Sequence, residues 1–459
     1  MCGIIGVHGH PDATHIAQLG LYSLQHRGQE SVGVVSIDDV GQAHAVRRMG
    51  TLSDSLSQEL AKMPGTSAIG HTRYSTAGTS SIDNAQPVLA RSKGGFSSLA
   101  HNGNLINAAE LRNELEDQGS IFASTSDSEV IVHELARSNA PTPALRLADA
   151  LKRVNGAYSL VVAMGDTLLA ARDPRGWRPL AMGRLGDAVV FASETCALDI
   201  VGATYERDVE PGEIVSVNDK GLQSSHPLPK EESRRCVFEY VYFARPDSRV
   251  YGGSVDRARR ALGRQLAREH PAPSADLVFS VPDSSNSAAL GFAEQSGLPY
   301  ELALIRNHYV GRTFIQPTQA GRDAKVKVKY NPVREIIDGK SVVIVDDSIV
   351  RGTTTRGLVA LVRGAGAREV HMRVSSPPVT GPCYYGIDTP SREELIAANN
   401  TVDQIAVHLG VDTLGYLSLD GMLESVPSGP GGFCHACFSG DYPTQPPADP
   451  DKLRFGCGC

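Results

Sequence analysis

The sequence predicts two domains of different class: a strand-rich α+β half, then an α/β half built on a parallel, doubly wound sheet. Three observations predict it. The chain has 459 residues, well beyond the ~250–300 at which a single core stops growing. Short strand-like runs dominate its first half. From Asp276 onward, apolar runs alternate with helix-like segments, which is the pattern of a parallel sheet.

Taken in order, Ile4 to His8, Val32 to Ile37 and Ser67 to His71 read as short strands. Two helices carry start signals: Asn107 with Glu110 three residues on, and Ser126 with Glu129 at capping-box spacing. A third helix is expected from Thr142 to Arg153, and strands resume at Tyr158 to Met164 and Ala188 to Ala192. The stretch SSHPLPKEESRR (224–235) is polar and Pro-bearing, which marks a boundary. The expected domains are therefore 2–230 and 231–424, followed by a Gly- and Pro-rich, irregular tail over 425–459. In the second domain Asp276 to Val281, Ser341 to Val345 and Glu369 to Val374 read as strands. SNSAALGFAEQSG (285–297) and a segment ending at Arg363 read as helices. Ligands bind such sheets at the carboxyl ends of the strands, where DDSIVRGTTT (346–355) sits.

Composition narrows the function class. Hydrophobic content of 41% and charged content of 21% describe an ordinary globular chain. The formal net charge is -7 and no stretch is rich enough in Lys and Arg for a nucleic-acid footprint, so no nucleic-acid partner is expected. No apolar run reaches the ~18 residues of a membrane helix. MCGIIGVHGH lacks the basic and long apolar regions of a secretion signal. A cytoplasmic, reducing compartment follows by default. Eight cysteines there (2, 196, 236, 383, 434, 437, 457 and 459) point to catalysis or metal rather than disulfides.

Cys2 follows Met1 directly. Removal of Met1 would leave thiol and free α-amine on one residue, and an amine of pKa about 7.7–8.0 is partly unprotonated near neutral pH. It can take the thiol proton, as in N-terminal nucleophiles. Arg73, in His71-Thr-Arg73-Tyr-Ser-Thr76, could clamp a carboxylate; the bland alternative is a surface salt bridge. In His101-Asn102-Gly103-Asn104-Leu105 a side-chain amide and a Gly N–H could form an oxyanion hole; the bland alternative is an Asn-Gly turn. Asp127 could receive an ammonium group, or merely complement a helix N-terminus.

MCGIIGV, LQHRGQES, GHTRYSTAG, HNGNL and TSDSE occur in that order between residues 1 and 129. Together they resemble the N-terminal-nucleophile glutamine amidotransferase domain. The resemblance implies a four-layer αββα fold, with Cys2 as nucleophile and its own amine as base. It implies Asn102 and Gly103 as the oxyanion hole, and Arg73 and Asp127 as holders of the glutamine backbone charges.

In the second half, Val342 to Val345 is an apolar strand that ends on Asp346 and Asp347. The loop Ser348-Ile-Val-Arg351-Gly352-Thr353-Thr354-Thr355 follows and opens a helix. Loop amides, Thr hydroxyls and the helix N-terminus suit a phosphate. The paired carboxylates suit ribose hydroxyls, or a Mg²⁺ that keeps several waters. The segment resembles the phosphoribosyl pyrophosphate (PRPP) motif of type I phosphoribosyltransferases. VPDSSNSAA (281–289) resembles the second strand-end loop of that family, with Ser284 a candidate metal-site ligand. The basic segment 305–332 resembles the loop that closes over PRPP, where it would exclude water.

The two halves together, with CVFEYVYFARPDS (236–248) and GRTFIQP, resemble the glutamine PRPP amidotransferases over residues 2 to 443. That family makes 5-phosphoribosylamine from PRPP, glutamine and water, and passes ammonia internally between two sites. The resemblance also implies purine-nucleotide inhibitors and a homotetramer. An amidotransferase with another acceptor fits the first half equally well, but not DDSIVRGTT. A non-catalytic sensor of PRPP or iron is opposed by the intact Cys2, Arg73, Asn102 and Asp127.

Cys434-His-Ala-Cys437 is a CxxC pair, with Cys236 and Cys383 distant in sequence. Four thiolates could hold either zinc or a [4Fe–4S] cluster. CVFEYVYFARPDS, PPVTGPCYYGID and FCHACFSGDYP resemble the iron–sulfur subclass, which implies a structural [4Fe–4S] cluster on Cys236, Cys383, Cys434 and Cys437. Cys196 reads as core packing and Cys457 and Cys459 as terminal thiols. Removal of Met1 alone is expected to expose Cys2, where relatives of this subclass often carry a propeptide. His308 stands where the resemblance expects Arg or Lys. Arg175 and Trp177 in DPRGWRPL (173–180) also depart from it, in a loop expected to couple the domains.

Overall fold

The computed structural model describes residues 1–75, 78–93, 95–307, 328–427 and 432–447. Thr76, His308, most of the basic segment 305–332, Cys457 and Cys459 lie outside the described residues.

Among the described residues the first half holds thirteen strands: β1 (Gly3–His8), β2 (Ser31–Ile37), β3 (Ala43–Met49), β4 (Ser67–Arg73), β5 (Val88–Ser92), β6 (Gly95–Leu105), β7 (Gly156–Met164), β8 (Thr167–Arg172), β9 (Ala181–Leu185), β10 (Ala188–Ala192), β11 (Thr204–Asp208), β12 (Ile214–Asn218) and β13 (Gly221–Ser225). Seven form one sheet in the order β11-β9-β10-β1-β4-β2-β3, and six form another in the order β13-β12-β8-β7-β6-β5. Ile4, Ile69, Ala100, Val161 and Phe191 fill the space between the two sheets. The sheets pack closely at Gly6, where a Cβ would meet the Val161 side chain at 2.4 Å. Helices Ala13–Ser23 and Thr195–Ile200 cover the outer face of the first sheet. Helices Ala108–Asp117, Ser128–Arg137 and Pro143–Leu151 cover the second. The result is the four-layer αββα arrangement.

One helix start differs from the sequence reading. Ser126 and Glu129 form no capping box. Glu129 instead turns back to the N–H groups of Ala123 and Ser124, both at 2.8 Å. The helix opens only at Ser128, beside Asp127, whose Oδ2 is taken by the Leu105 N–H at 2.9 Å. A tertiary bond has displaced the local cap. Asn107 likewise bridges Arg153 O and Asn155 N, both at 2.9 Å, rather than capping its own helix.

In the second half, strands Leu277–Ser280, Ser341–Asp346, Glu369–Val374 and Thr413–Tyr416 form a parallel sheet in that order. Val343 and Val345 face helices Val255–Glu269 and Asn286–Ser296. Val342 and Ile344 face Thr353–Gly364 and Val402–Leu409. The apolar run VVIV is therefore buried on both faces, as in parallel sheets. The tail is less irregular than its composition suggests. Gly432–Cys434 pairs in parallel with Arg234–Cys236, and Cys236 stands opposite Cys434.

Candidate active site

Strand register builds the first site. Gly3 lies opposite Thr72, so Cys2 leaves β1 next to Arg73 at the end of β4. Asn102 reaches the same place from β6 in the facing sheet. The Cys2 N–H donates to Asn102 Oδ1 at 3.1 Å, and the thiol donates to the Tyr74 carbonyl at 3.6 Å. With Oδ1 so occupied, Asn102 Nδ2 points elsewhere, fully buried and without a hydrogen-bond partner among the described residues. A buried donor without an acceptor is costly, and an oxyanion would satisfy it. Gly103 has φ of 155°, and a Cβ there would meet Ala157 O at 2.0 Å, so no other residue fits.

Arg73 is buried and ion-paired to Glu30, with its Nη1 also donating to Thr79 O at 3.2 Å. Asp127 is buried, with Oδ2 4.0 Å from His101 Nδ1. His101 bonds Ser128 Oγ at 2.8 Å and Ala157 O at 3.2 Å. Burial holds His71 down to about 3, so it is neutral and its Nε2–H donates to His101 O at 3.1 Å. The chain terminus is also enclosed. Burial, helped by Arg178 and Arg27, lowers the Met1 α-amine to about 5.

The second site lies at the carboxyl edge of the parallel sheet. Strand Ser341–Asp346 delivers Asp346 and Asp347, while Ser284 and Ser285 come from the loop after the neighbouring strand. Ser284 Oγ donates to Asp347. Ser285 Oγ donates to Asp346 Oδ1 at 3.2 Å, and Ser348 Oγ to Asp347 Oδ1 at 2.6 Å. Burial and the adjacent Asp347 push Asp346 well above the usual carboxylate range, and burial raises Asp347 too. Two crowded carboxylates call for a cation. They fit Mg²⁺, which takes one or two protein carboxylates and fills its remaining positions with water and phosphate oxygens. Gly352 caps helix Thr353–Gly364 in the left-handed conformation, with φ of 74°, which turns the first amides of the helix toward the same loop. Thr353 and Thr354 open that helix. Arg351 is exposed and pairs with Glu394 at 3.1 Å.

The four cysteines of the proposed cluster meet between the halves. Cys236, Cys434 and Cys437 are buried, Cys383 is partly buried, and none is in a disulfide. Cys437 O accepts from Thr380 N at 2.9 Å and Gly381 N at 3.1 Å, which clasps the Cys383 loop to the tail. Burial pushes the Cys236 thiol up to about 11 and Cys434 to about 12. Among the described residues no three His, Cys, Asp or Glu side chains are grouped to hold one metal ion. Four thiolates are the donor chemistry of a [4Fe–4S] cluster, which brings its own sulfide and attaches each thiolate to a different iron, and equally of a Cys₄ zinc ion. The loop with Arg175 and Trp177 joins the halves here. Trp177 O accepts from Cys236 N at 3.1 Å, and the Trp177 ring stacks on Tyr385 at 4.5 Å. Cys196 is core packing, bonded to Ser23 O at 3.9 Å.

Sequence reasoning passed over Glu30, which lies inside LQHRGQES and meets Arg73 only because Ser31 pairs with Arg73 across β2 and β4. It also passed over Arg27, Glu194, Arg178 and Glu239, a buried charge group whose members come from both halves. Nothing in the local pattern announces them, except that a basic residue beside Gly28 in an otherwise buried turn needs a partner.

Comparison with known proteins agrees with this fold. A family model described as a glutamine amidotransferase domain matches residues 71–199. The amidophosphoribosyltransferase of Bacillus subtilis (strain 168) is 49% identical over 97% of this chain and 94% of its own. That of Archaeoglobus fulgidus is 47% identical over 98% and 99%. Among solved structures, the B. subtilis glutamine PRPP amidotransferase complexed with ADP and GMP superposes with a TM-score of 0.90 at 48% identity, covering 97% of this chain and 98% of that one. A structure described as the allosteric regulatory enzyme of purine biosynthesis gives 0.92 at 48% identity, covering 98% of both chains. With relatives this similar over nearly its whole length, the chain belongs to the amidophosphoribosyltransferase family.

Proposed function

We propose that this chain takes ammonia from glutamine at Cys2 and delivers it to PRPP at the Asp346–Asp347 loop, forming 5-phosphoribosylamine, glutamate and pyrophosphate. In purine biosynthesis this is the entry step. The observation that carries the reading is the pairing of Cys2 N with Asn102 Oδ1, which leaves Asn102 Nδ2 as a buried donor awaiting an acceptor.

The chemistry follows from the residues. Loss of Met1 frees the Cys2 α-amine, which takes the thiol proton. The thiolate attacks the side-chain amide carbon of glutamine, and the C–S bond forms as the carbonyl becomes an oxyanion. Asn102 Nδ2 and the Gly103 N–H stabilise that charge. Collapse breaks the C–N bond, the protonated amine returns a proton, and ammonia leaves. Water then cleaves the thioester to glutamate. Arg73 and Asp127 orient the α-carboxylate and α-ammonium of glutamine, with Glu30 steering Arg73. Ammonia passes within the protein to C1 of PRPP and displaces pyrophosphate. Ser348, Arg351, Gly352, Thr353 and Thr354 hold the 5-phosphate and ribose. Asp346, Asp347 and Ser284 would hold Mg²⁺, directly or through water, and the ion would neutralise the pyrophosphate. Cys236, Cys383, Cys434 and Cys437 would hold a [4Fe–4S] cluster, whose role is to fasten the tail to both halves. Purine nucleotides are the expected inhibitors, in keeping with the ADP and GMP on the B. subtilis relative. A homotetrameric, cytoplasmic enzyme completes the reading. Among the described residues no helix is long and apolar enough to cross a membrane.

The test is glutamate release by protein purified without oxygen, with Met1 loss verified by mass, in the presence and absence of PRPP and Mg²⁺. PRPP-dependent glutamate matched by pyrophosphate is expected. Release indifferent to PRPP would overturn the acceptor assignment.

A further inference from the structure

A buried group of charges links the Cys2 site to the second half. Arg27 is fully buried. Its Nε donates to the carbonyl of Cys2 at 2.9 Å. Its outer nitrogens form a fork on Glu239, from Nη1 to Oε2 at 3.0 Å and from Nη2 to Oε1 at 2.8 Å. Glu194 pairs with the same guanidinium, and Arg178 stands 3.6 Å from Glu239. Glu239 is itself fully buried and belongs to the second half, in the turn Glu239–Phe243. That turn is fixed to helix Val255–Glu269, because Arg259 donates to Tyr240 O at 2.8 Å and to Ala244 O at 2.7 Å.

A buried ion pair is weak evidence for stability, since apolar replacements often do as well. What an apolar pair cannot reproduce is direction. A bidentate fork fixes the guanidinium plane, and the third side of that plane meets the backbone of Cys2. We infer that Glu239 is a positioning residue for the nucleophile: the second half, through Glu239 and Arg27, sets the Cys2 backbone, so the thiol is aimed only when the halves are docked. The inference rests on the reading of Cys2 as nucleophile. It assigns to this contact the task of confining ammonia release to a chain whose acceptor half is in place.

Glu239→Gln keeps shape and volume but breaks the fork. In the full chain, purified without oxygen, product formation from PRPP is measured with glutamine and, separately, with ammonium salts at raised pH. The ammonia route needs no Cys2. A positioning role predicts that glutamine-dependent kcat falls about ten- to a hundredfold, as misplacement by about 1 Å can cause. KM for glutamine should change little and the ammonia route should keep its rate. Arg27→Lys, which retains charge without the fork, should show the same selective loss. Equal loss on both routes would reduce Glu239 to a structural role and overturn the inference, as would no loss on either. Wild-type protein that uses ammonia but cleaves no glutamine would overturn the nucleophile reading itself, and the inference with it.

Discussion

The two candidate sites sit in one chain but are built on opposite electrostatic plans. Around Cys2 the charged groups are paired within the protein: Arg73 with Glu30, and Arg27 with Glu194 and Glu239. Asn102 Nδ2 is left as a buried neutral donor without a partner among the described residues. Around Asp346 and Asp347 two carboxylates crowd together, and their hydrogen-bond partners in that loop are neutral: the Ser284, Ser285 and Ser348 hydroxyls and the Asp347 N–H. The first site is preorganised, waiting for charge to develop in a reaction. The second is frustrated, waiting for charge to arrive with a ligand. Preorganised donors act on the transition state, whereas a frustrated acid pair acts first on binding, so damage to the two sites should read out differently.

The sharpest break is Cys2→Ala. Glutamine-dependent product formation should fall by roughly 10⁴-fold or more, as when a nucleophile is removed elsewhere, while formation from ammonium salts keeps its rate. Parallel loss of both routes would show that the sites are not separable. Asn102→Ala is the next step down. Loss of one oxyanion donor costs about 10²–10³ in kcat. KM for glutamine should move little, because the orphan donor is unused in the ground state; a change confined to KM would assign Asn102 to substrate binding instead.

Asp346→Asn sharpens the contrast from the other side. PRPP consumption should drop whether glutamine or ammonia supplies nitrogen. The protein should nevertheless melt higher without Mg²⁺ and PRPP, because a buried repulsion is gone. A gain of about 1 kcal/mol would raise Tm by ~1–2 °C in a chain of this size, extrapolating the size trend. A lower Tm would mean that the acid pair is satisfied as it stands.

The same contrast explains what the sequence made legible. The acidic loop is contiguous: strand, two carboxylates, loop and helix follow one another, so its residues could be read in a row. The Cys2 site is assembled across two sheets and 100 positions, between Cys2 and Asn102. Its members were recognisable as motifs, but their mutual geometry was not. Glu30 and Glu239 escaped because their partners are set by strand pairing and by docking of the halves, neither of which has a local signature. Ser126 and Glu129 show the reverse error, a valid local signal overruled by a tertiary bond to Asp127. Strands β3, β5, β6, β8, β9, β11, β12 and β13 went unread, β6 with Asn102 and Gly103 among them, because the clean apolar–polar alternation that marks a half-buried strand is missing from runs such as AHAVRRM in β3 and the fully buried TLLAAR in β8.

The mildest test concerns acid, and it separates the two plans by sign. His71 is neutral in the fold, its pKa lowered from 6.5 to about 3 by burial. Its Nδ1 is buried without a partner among the described residues, so a second proton would find no acceptor. As pH falls below 6.5 the unfolded chain binds a proton that the fold refuses. Stability from this group is therefore complete above 6.5 and lost progressively toward 3, at roughly 1.4 kcal/mol per pH unit. The acid pair works the other way. Carboxylates raised by burial bind protons in the fold that the unfolded chain has already released, so their contribution is complete below the usual carboxylate range and is lost as pH rises from there to their raised pKa. His71→Gln retains a donor for His101 O and cannot titrate. Denaturant midpoints measured from pH 7 down to 4 should fall less steeply for this variant than for the parent, by the equivalent of about one proton. Superimposable slopes would mean that His71 takes up its proton inside the fold, and the neutral, preorganised plan of the first site would fail at that residue.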